Sequence, residues 1–146
     1  MKKILVINGP NLNFLGIREP EIYGTETYTD LVKSIEGWAK EIGMEVRCVQ
    51  SNHEGVIIDE IQNAYKKYDG IIINAGGYTH TSIAIMDAVK AVGIDTVEVH
   101  LSDIDGREDF RRMSYVGLAC KEHFIGLSFE GYKLALEYLF DGNIYN

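Results

Sequence analysis

Residues 4–24 read ILVINGPNLNFLGIREPEIYG. Ile4 to Ile7 is a short apolar run with the β-branched character of a strand buried on both faces. From Asn8 to Gly24 the character changes. Helical spacing resumes only around Thr27, so the chain spends about 17 residues on a connection that ordinarily takes ~2–6. Asn8, Asn11, Asn13, Arg18, Glu19 and Tyr23 stand there between Gly9-Pro10, Gly16, Pro20 and Gly24. A loop of that length and polarity places groups around a ligand. Residues 9–24 therefore read as an active-site lid.

Outward from this loop the chain alternates. Thr27 to Ile42 carries Leu31, Ile35, Trp38, Ala39 and Ile42 at helical spacing. Thr27 with Asp30 resembles a capping box, and Gly43 closes the helix. Met44 to Gln50 reads as a second strand and Ser51 to Gly55 as a loop. Val56 to Tyr68 reads as a second helix. Ile71 to Ile73 is the most hydrophobic strand candidate, followed by a polar connection from Asn74 to Ser82. Ile83 to Val92 is a third helix ended by Gly93. Thr96 to His100 is a fourth strand, Leu101 to Gly106 a loop and Glu108 to Met113 a short helical turn. Lys121 to Leu127 is a fifth strand, and Ser128 caps a last helix running to about residue 140.

Strands alternating with helices give βαβ units and a parallel sheet. Five of them point to the α/β class, with a flavodoxin-like, doubly wound five-stranded parallel sheet and helices on both faces. In such sheets ligands bind beyond the carboxyl ends of the strands. Here those ends carry residues 8–23, 51–54, 74–82 and 98–107, which hold nearly all the unusual polar side chains.

Composition sets outer limits. At 146 residues and 46% hydrophobic, residues 1–146 are expected to make one domain with its own core rather than two. A net charge of −8 argues against a nucleic-acid or anionic-membrane surface. It leaves room for an anionic small molecule held by local arginines. The MKKILVING start has too short an apolar run for a signal peptide, and no stretch approaches the ~18 apolar residues of a membrane span. Cys48 and Cys120 form no CxxC, which reads as reduced thiols and a cytoplasmic location. His53, His80, His100 and His123 show no metal-ligand spacing, so no metal is expected.

NGPNLNFLGIREPEIYG (8–24), NAGGYTHTSIAIMDA (74–88) and EVHLSDIDGREDFRRMSY (98–115) resemble the three signature stretches of the type II 3-dehydroquinate dehydratases. The likeness continues through GLSFEGYKLALEYL (126–139), so it covers nearly the whole chain in order. It implies dehydration of 3-dehydroquinate to 3-dehydroshikimate without metal or organic cofactor, in the shikimate pathway or quinate catabolism. It also implies a homododecamer built from trimers.

Removing water β to a ketone needs a base for the α-proton, a stabilised enolate and an acid for the departing hydroxide. The resemblance makes Tyr23 the base, which demands a phenolate near neutrality from a group whose pKa is ordinarily ~10. One cation at ~4 Å and an effective dielectric of ~20 contributes ~4 kcal/mol, roughly three pKa units. Arg18, in the same loop, is assigned that part by the family, with Arg107 in support. The plainer alternative for Tyr23 is a half-buried loop aromatic. Asn11 offers a polar, uncharged group to the developing enolate, directly or through a held water, with Asn74 as its partner. For both, the alternative is an Asx turn that satisfies local backbone.

His100 is the general acid, at the ligand edge and within the family match EVHLS. Glu98 shares its face of the strand and orients the imidazole. Leu101 and Ser102 offer amides and a hydroxyl to the substrate carboxylate. His80 and Arg111 meet ring hydroxyls by family analogy, Arg111 with a two-pronged fork. The family sends the residue matching Asp87 into a neighbouring subunit's site; an exposed helix acid is the alternative. The chain departs from the family at Ala75, where a proline is usual, at Met86, and at Asp103, Ile104, Asp105 and Gly106. Loss of the proline implies backbone freedom, and the added acids beside Ser102 imply weaker carboxylate capture.

Other classes fit poorly. A flavin binder wants a hydroxyl- and glycine-rich phosphate loop after the first strand, and a phosphoacceptor domain wants acids where Asn8 and Asn74 stand. No lysine falls in a loop at the carboxyl edge, so a Schiff-base dehydratase is rejected. The remaining alternative is a cofactor-free lyase on another cyclic hydroxy-ketone.

Overall fold

The computed structural model describes residues 1–17, 21 and 25–142, with Asp105 described by its backbone alone. Arg18 and Tyr23 lie outside the described residues. Five strands form one sheet: β1 (Lys3–Asn8), β2 (Glu45–Gln50), β3 (Gly70–Asn74), β4 (Asp95–His100) and β5 (Glu122–Ile125). Their order is β2-β1-β3-β4-β5 and every pairing is parallel. This is the expected flavodoxin-like α/β architecture.

Among the described residues, four long helices cover the sheet: α1 (Tyr28–Ile42), α2 (Glu54–Asn63), α3 (Ile83–Val92) and α4 (Glu130–Asp141). On one face Ile4, Val6, Ile72, Val97 and Val99 pack with Leu31 and Ile35 of α1 and with Tyr132 and Leu136 of α4. On the other, Leu5, Ile7, Ile71 and Ile73 pack with Ile57 and Ile61 of α2 and with Ile85 and Val89 of α3. The unbroken apolar runs of β1 and β3 follow from this. Side chains alternate between two faces and both faces are buried.

Helix α1 starts at the expected capping box: the Asp30 amide donates to Thr27 Oγ1 (3.2 Å) and the Thr27 amide to Asp30 Oδ2 (2.9 Å). Helix α3 keeps its expected bounds, with Ser82 Oγ accepting from the Ile85 amide at 2.9 Å. Three elements differ. Helix α2 begins at Glu54 rather than Val56, because extended His53 caps it and Glu54 suits its positive end. It stops at Asn63 rather than Tyr68; Lys66, at φ 63°, reverses the chain toward β3. Strand β5 ends at Ile125 rather than Leu127, because Gly126 (φ 77°) and Ser128 (φ 52°) leave extended geometry. Ser128 does not cap α4 with its side chain. The cap is Phe129, and only the Ser128 carbonyl takes part, accepting from the Gly131 amide at 3.3 Å.

The connection after β3 is tied down despite Ala75 standing where a proline was usual. Residues Gly76–His80 form a 3-10 turn, the Gly76 amide donates to Asn74 Oδ1 (3.2 Å), and Ala75 is buried. There β1 and β3 release their chains in close contact: the Gly9 amide donates to the Asn74 carbonyl at 2.7 Å. A Cβ on Gly9 would lie 2.4 Å from the Ala75 carbonyl oxygen, which is backbone and cannot swing away. Gly9→Ala is therefore expected to cost about 1–3 kcal/mol, read as a lower urea midpoint at unchanged slope.

Candidate functional site

At the carboxyl ends of β1, β3 and β4 lies a cleft of about 680 Å³, counting the part open to solvent. Its walls bring together Asn11, Asn74, His80, His100, Leu101, Ser102, Arg107 and Arg111, with Leu12, Leu15 and Ile104 as apolar lining. Eight residues singled out from the sequence thus converge on one space. Asp87 does not: it is exposed on α3, outside the lining of this cleft. Asp103 is exposed and outside the lining too; a Cβ on Gly126 would lie 3.3 Å from its Cβ.

The floor is a buried polar chain. Tyr132 Oη donates to Asn8 Oδ1 at 2.6 Å and accepts from Asn74 Nδ2 at 3.1 Å. Asn8 and Asn74 end neighbouring strands in register, with even-numbered residues facing α4, so both amides reach the one phenol. Burial pushes the Tyr132 hydroxyl far above its ordinary range, so it serves as a neutral hydrogen-bonding group. Asn74 also accepts from the Gly76 amide at 3.2 Å, which realises the Asx turn that the sequence left open. Asn11 differs. It adopts φ 70° ahead of the 3-10 turn Leu12–Phe14, its amide donates to Asn52 Oδ1 (3.1 Å), and its side chain does not cap that turn.

Behind the cleft wall sits Glu98, 2% exposed. His100 Nε2 donates to its Oε2 at 2.8 Å, as a shared strand face requires. Two further donors were not foreseen. Ser114 Oγ donates to Oε2, and His123 Nδ1 donates to Oε1 at 2.8 Å. Burial pushes the Glu98 carboxyl up, but the His100 hydrogen bond and charge, with the Ser114 and His123 bonds, outweigh it and hold the group at about 2. Glu98 is thus a buried carboxylate, and it fixes Nε2 of His100 as the protonated nitrogen facing it.

Gly117 lies against this cluster. A Cβ there would stand 2.6 Å from Glu98 Oε1 and 2.8 Å from Ser114 Oγ. Gly117→Ala is expected to displace the carboxylate, to lower kcat by roughly 10- to 100-fold and, because the hydrogen bonds of a buried carboxylate are disturbed, to lower the urea midpoint as well. Parallel steady-state kinetics and unfolding curves check this.

His80 is oriented from outside the cleft, its Nδ1 donating to the Met113 carbonyl at 2.8 Å. Burial lowers its pKa; the Met113 bond opposes that, and the charges of His100 and Arg111 add to it. A neutral ring is left with Nε2 as an acceptor. Arg111 donates from Nε to Glu108 Oε2 at 2.8 Å, and Arg107 Nε lies 4.0 Å from the same oxygen. Glu108 so steadies two cleft arginines while the terminal nitrogens of Arg111 stay outside that contact. Among the described residues, no three His, Cys, Asp or Glu side chains cluster in a way that holds a metal ion.

The dehydroquinase class II family matches residues 2–140 of the chain. The 3-dehydroquinate dehydratase of Caldicellulosiruptor bescii is 57% identical over 137 residues, covering 93% of this chain and 94% of the relative. That of Fusobacterium nucleatum is 58% identical over 142 residues, covering 95% and 97%. Among solved structures, the type II dehydroquinase of Butyrivibrio crossotus superposes with a TM-score of 0.93 at 52% identity, covering 94% of this chain and 97% of that one.

Proposed function

The chain belongs to the class II dehydroquinase family, and on that premise we propose that it converts 3-dehydroquinate to 3-dehydroshikimate with Tyr23 as proton acceptor and His100 as proton donor. The observation that carries the proposal is the buried Glu98–His100 pair, 2.8 Å apart, at the wall of the cleft. Glu98 holds Nε2 of the imidazole, which leaves Nδ1 to deliver a proton into the cleft.

The reaction proceeds through an enolate. The Tyr23 phenolate, stabilised by Arg18 with support from Arg107, takes the α-proton. The electron pair moves to the ketone oxygen, where Asn11 and the free N–H of Asn74 stabilise it through a held water. As the enolate collapses, the C–O bond β to the ketone breaks and His100 protonates the departing oxygen, so water leaves. Leu101 and Ser102 receive the substrate carboxylate. His80 Nε2 accepts from one ring hydroxyl, and the Arg111 fork donates to another.

Residues 9–24 serve as the lid of a single catalytic domain over residues 1–146. The proposal extends to assembly as a dodecamer of trimers, in which exposed Asp87 reaches a neighbour's cleft. It also extends to the cytoplasm, where the free thiols Cys48 and Cys120 stay reduced, and to service in the shikimate pathway or quinate catabolism. No described helix is long and apolar enough to cross a membrane.

The test is to add 3-dehydroquinate to purified protein in EDTA and follow the ultraviolet absorbance of the conjugated enone. Absorbance should rise at a rate proportional to enzyme. A folded, oligomeric protein that leaves the substrate unchanged would overturn the reading in favour of another cyclic hydroxy-ketone.

A further inference from the structure

Among the described residues, the hydrogen bonds that join the His100 side chain to a side chain of β5 run through Glu98, and the far end of that link is His123. In the sheet, His123 is directly opposite Glu98 in the β4–β5 register, so the two side chains leave the same face. His123 is 40% exposed by side chain, whereas Glu98 is sealed at 2%. The two oxygens of the carboxylate are divided. Oε2 takes His100 Nε2 and Ser114 Oγ, and Oε1 takes only His123 Nδ1 among the described residues.

This division has a mechanical consequence. The last torsion of a glutamate joins an sp3 to an sp2 carbon and is broad, so packing alone does not fix the carboxylate plane. Donors on one oxygen leave the group free to pivot about that oxygen. A third donor on the other oxygen sets the plane, and the plane sets the direction in which His100 is held. Both the neutral Nδ1–H tautomer and the protonated ring of His123 can donate, so the restraint does not depend on which is present.

We propose that His123 is a positioning residue for the dehydration, acting through Glu98 on the His100 imidazole without touching substrate. The inference rests on the dehydratase reading above. It adds a strand-β5 side chain, remote from the cleft lining, to the machinery that aims the proton donor.

The test compares wild type with His123→Phe and His123→Asn on 3-dehydroquinate. Phenylalanine keeps a ring but removes the donor. Asparagine places Nδ2 as many bonds from its backbone as histidine places Nδ1, and so restores the bond. The expected result is a kcat loss of about tenfold for His123→Phe, with KM unchanged and the loss largely recovered in His123→Asn. If His123→Phe does not fold, His123→Val, suited to an edge strand, carries the same comparison. Wild-type kcat in the donorless variant, an equal loss in both variants, or a change in KM alone would overturn the positioning role. An inert wild type would instead overturn the dehydratase reading, which keeps the two failures apart.

Discussion

Tyr23→Phe is expected to lower kcat by about a thousandfold, within the range that a positioned acid or base supplies, and to leave KM nearly unchanged. The substitution removes the one oxygen proposed to take the proton. The cleft residues proposed to bind the ring and carboxylate of the substrate are untouched. An interaction made only as the α-proton moves should lower kcat and kcat/KM together. Arg18→Ala should follow in the same direction, because the proposed base is a phenol whose pKa is ordinarily ~10 and the proposal gives Arg18 the part of favouring its anion. Single-turnover absorbance measurements separate this loss from slower product release. The alternative base within the cleft is His80, whose ring is kept neutral and whose Nε2 is an acceptor. If Tyr23→Phe keeps more than about a tenth of the activity, far above the loss of a true base, and His80→Ala does not, the base is His80 and the phenolate is dispensable.

The sheet was legible because its signal is local. Ile4 to Ile7 and Ile71 to Ile73 are continuous apolar runs, and only a strand covered on both faces needs that. The helix ends were legible where a side chain makes the cap, as Thr27 and Ser82 do. They were legible too at Gly43 and Gly93, where a glycine takes the left-handed conformation, and were misread where a non-glycine residue does. Nothing in the residue types of Lys66 or Ser128 announces a positive φ, yet those two conformations set the end of the chain reversal after α2 and the approach to α4. A left-handed lysine or serine is held by its surroundings, not by its own preference.

The cleft was legible for a different reason. Asn11, Asn74, His80, His100 and Arg111 are polar residues at strand ends or in the connections that follow them, where a parallel sheet gathers them irrespective of their distance in sequence. The support behind them was not. Ser114 and His123 reach Glu98 from a loop and from β5, and their meeting depends on the β4–β5 register. A strand-end histidine at 123 carries no pattern until Glu98 is known to stand opposite. Tyr132 is similar: one aromatic on the buried face of α4, it looks like core until Asn8 and Asn74 are placed at its hydroxyl.

Glu98→Gln should separate the geometry of this support from its charge. Three donors converge on Glu98, and glutamine has one acceptor oxygen where the carboxylate has two. If that oxygen serves His100 and Ser114, the amide NH2 faces His123, which can answer only by giving up its Nδ1 proton. The cluster can still form, but without the negative charge beside the His100 imidazole. The expected loss in kcat is about a hundredfold. Stability should fall as well, with a defined pH dependence. The Glu98 carboxyl is held at about 2 in the fold against an ordinary 4.5. A depressed carboxyl stabilises the fold above its unfolded value, and that contribution disappears as pH falls through the folded one. The window is therefore about pH 4.5 down to 2, and the full contribution is at most roughly 3 kcal/mol at 1.36 kcal/mol per unit. Urea unfolding of wild type and Glu98→Gln should show that gap at pH 7 and a clearly smaller one at pH 3. A gap that stays constant between the two would mean that the stabilisation lies in packing rather than in the ionised carboxylate. The charge would then have to act on His100 alone.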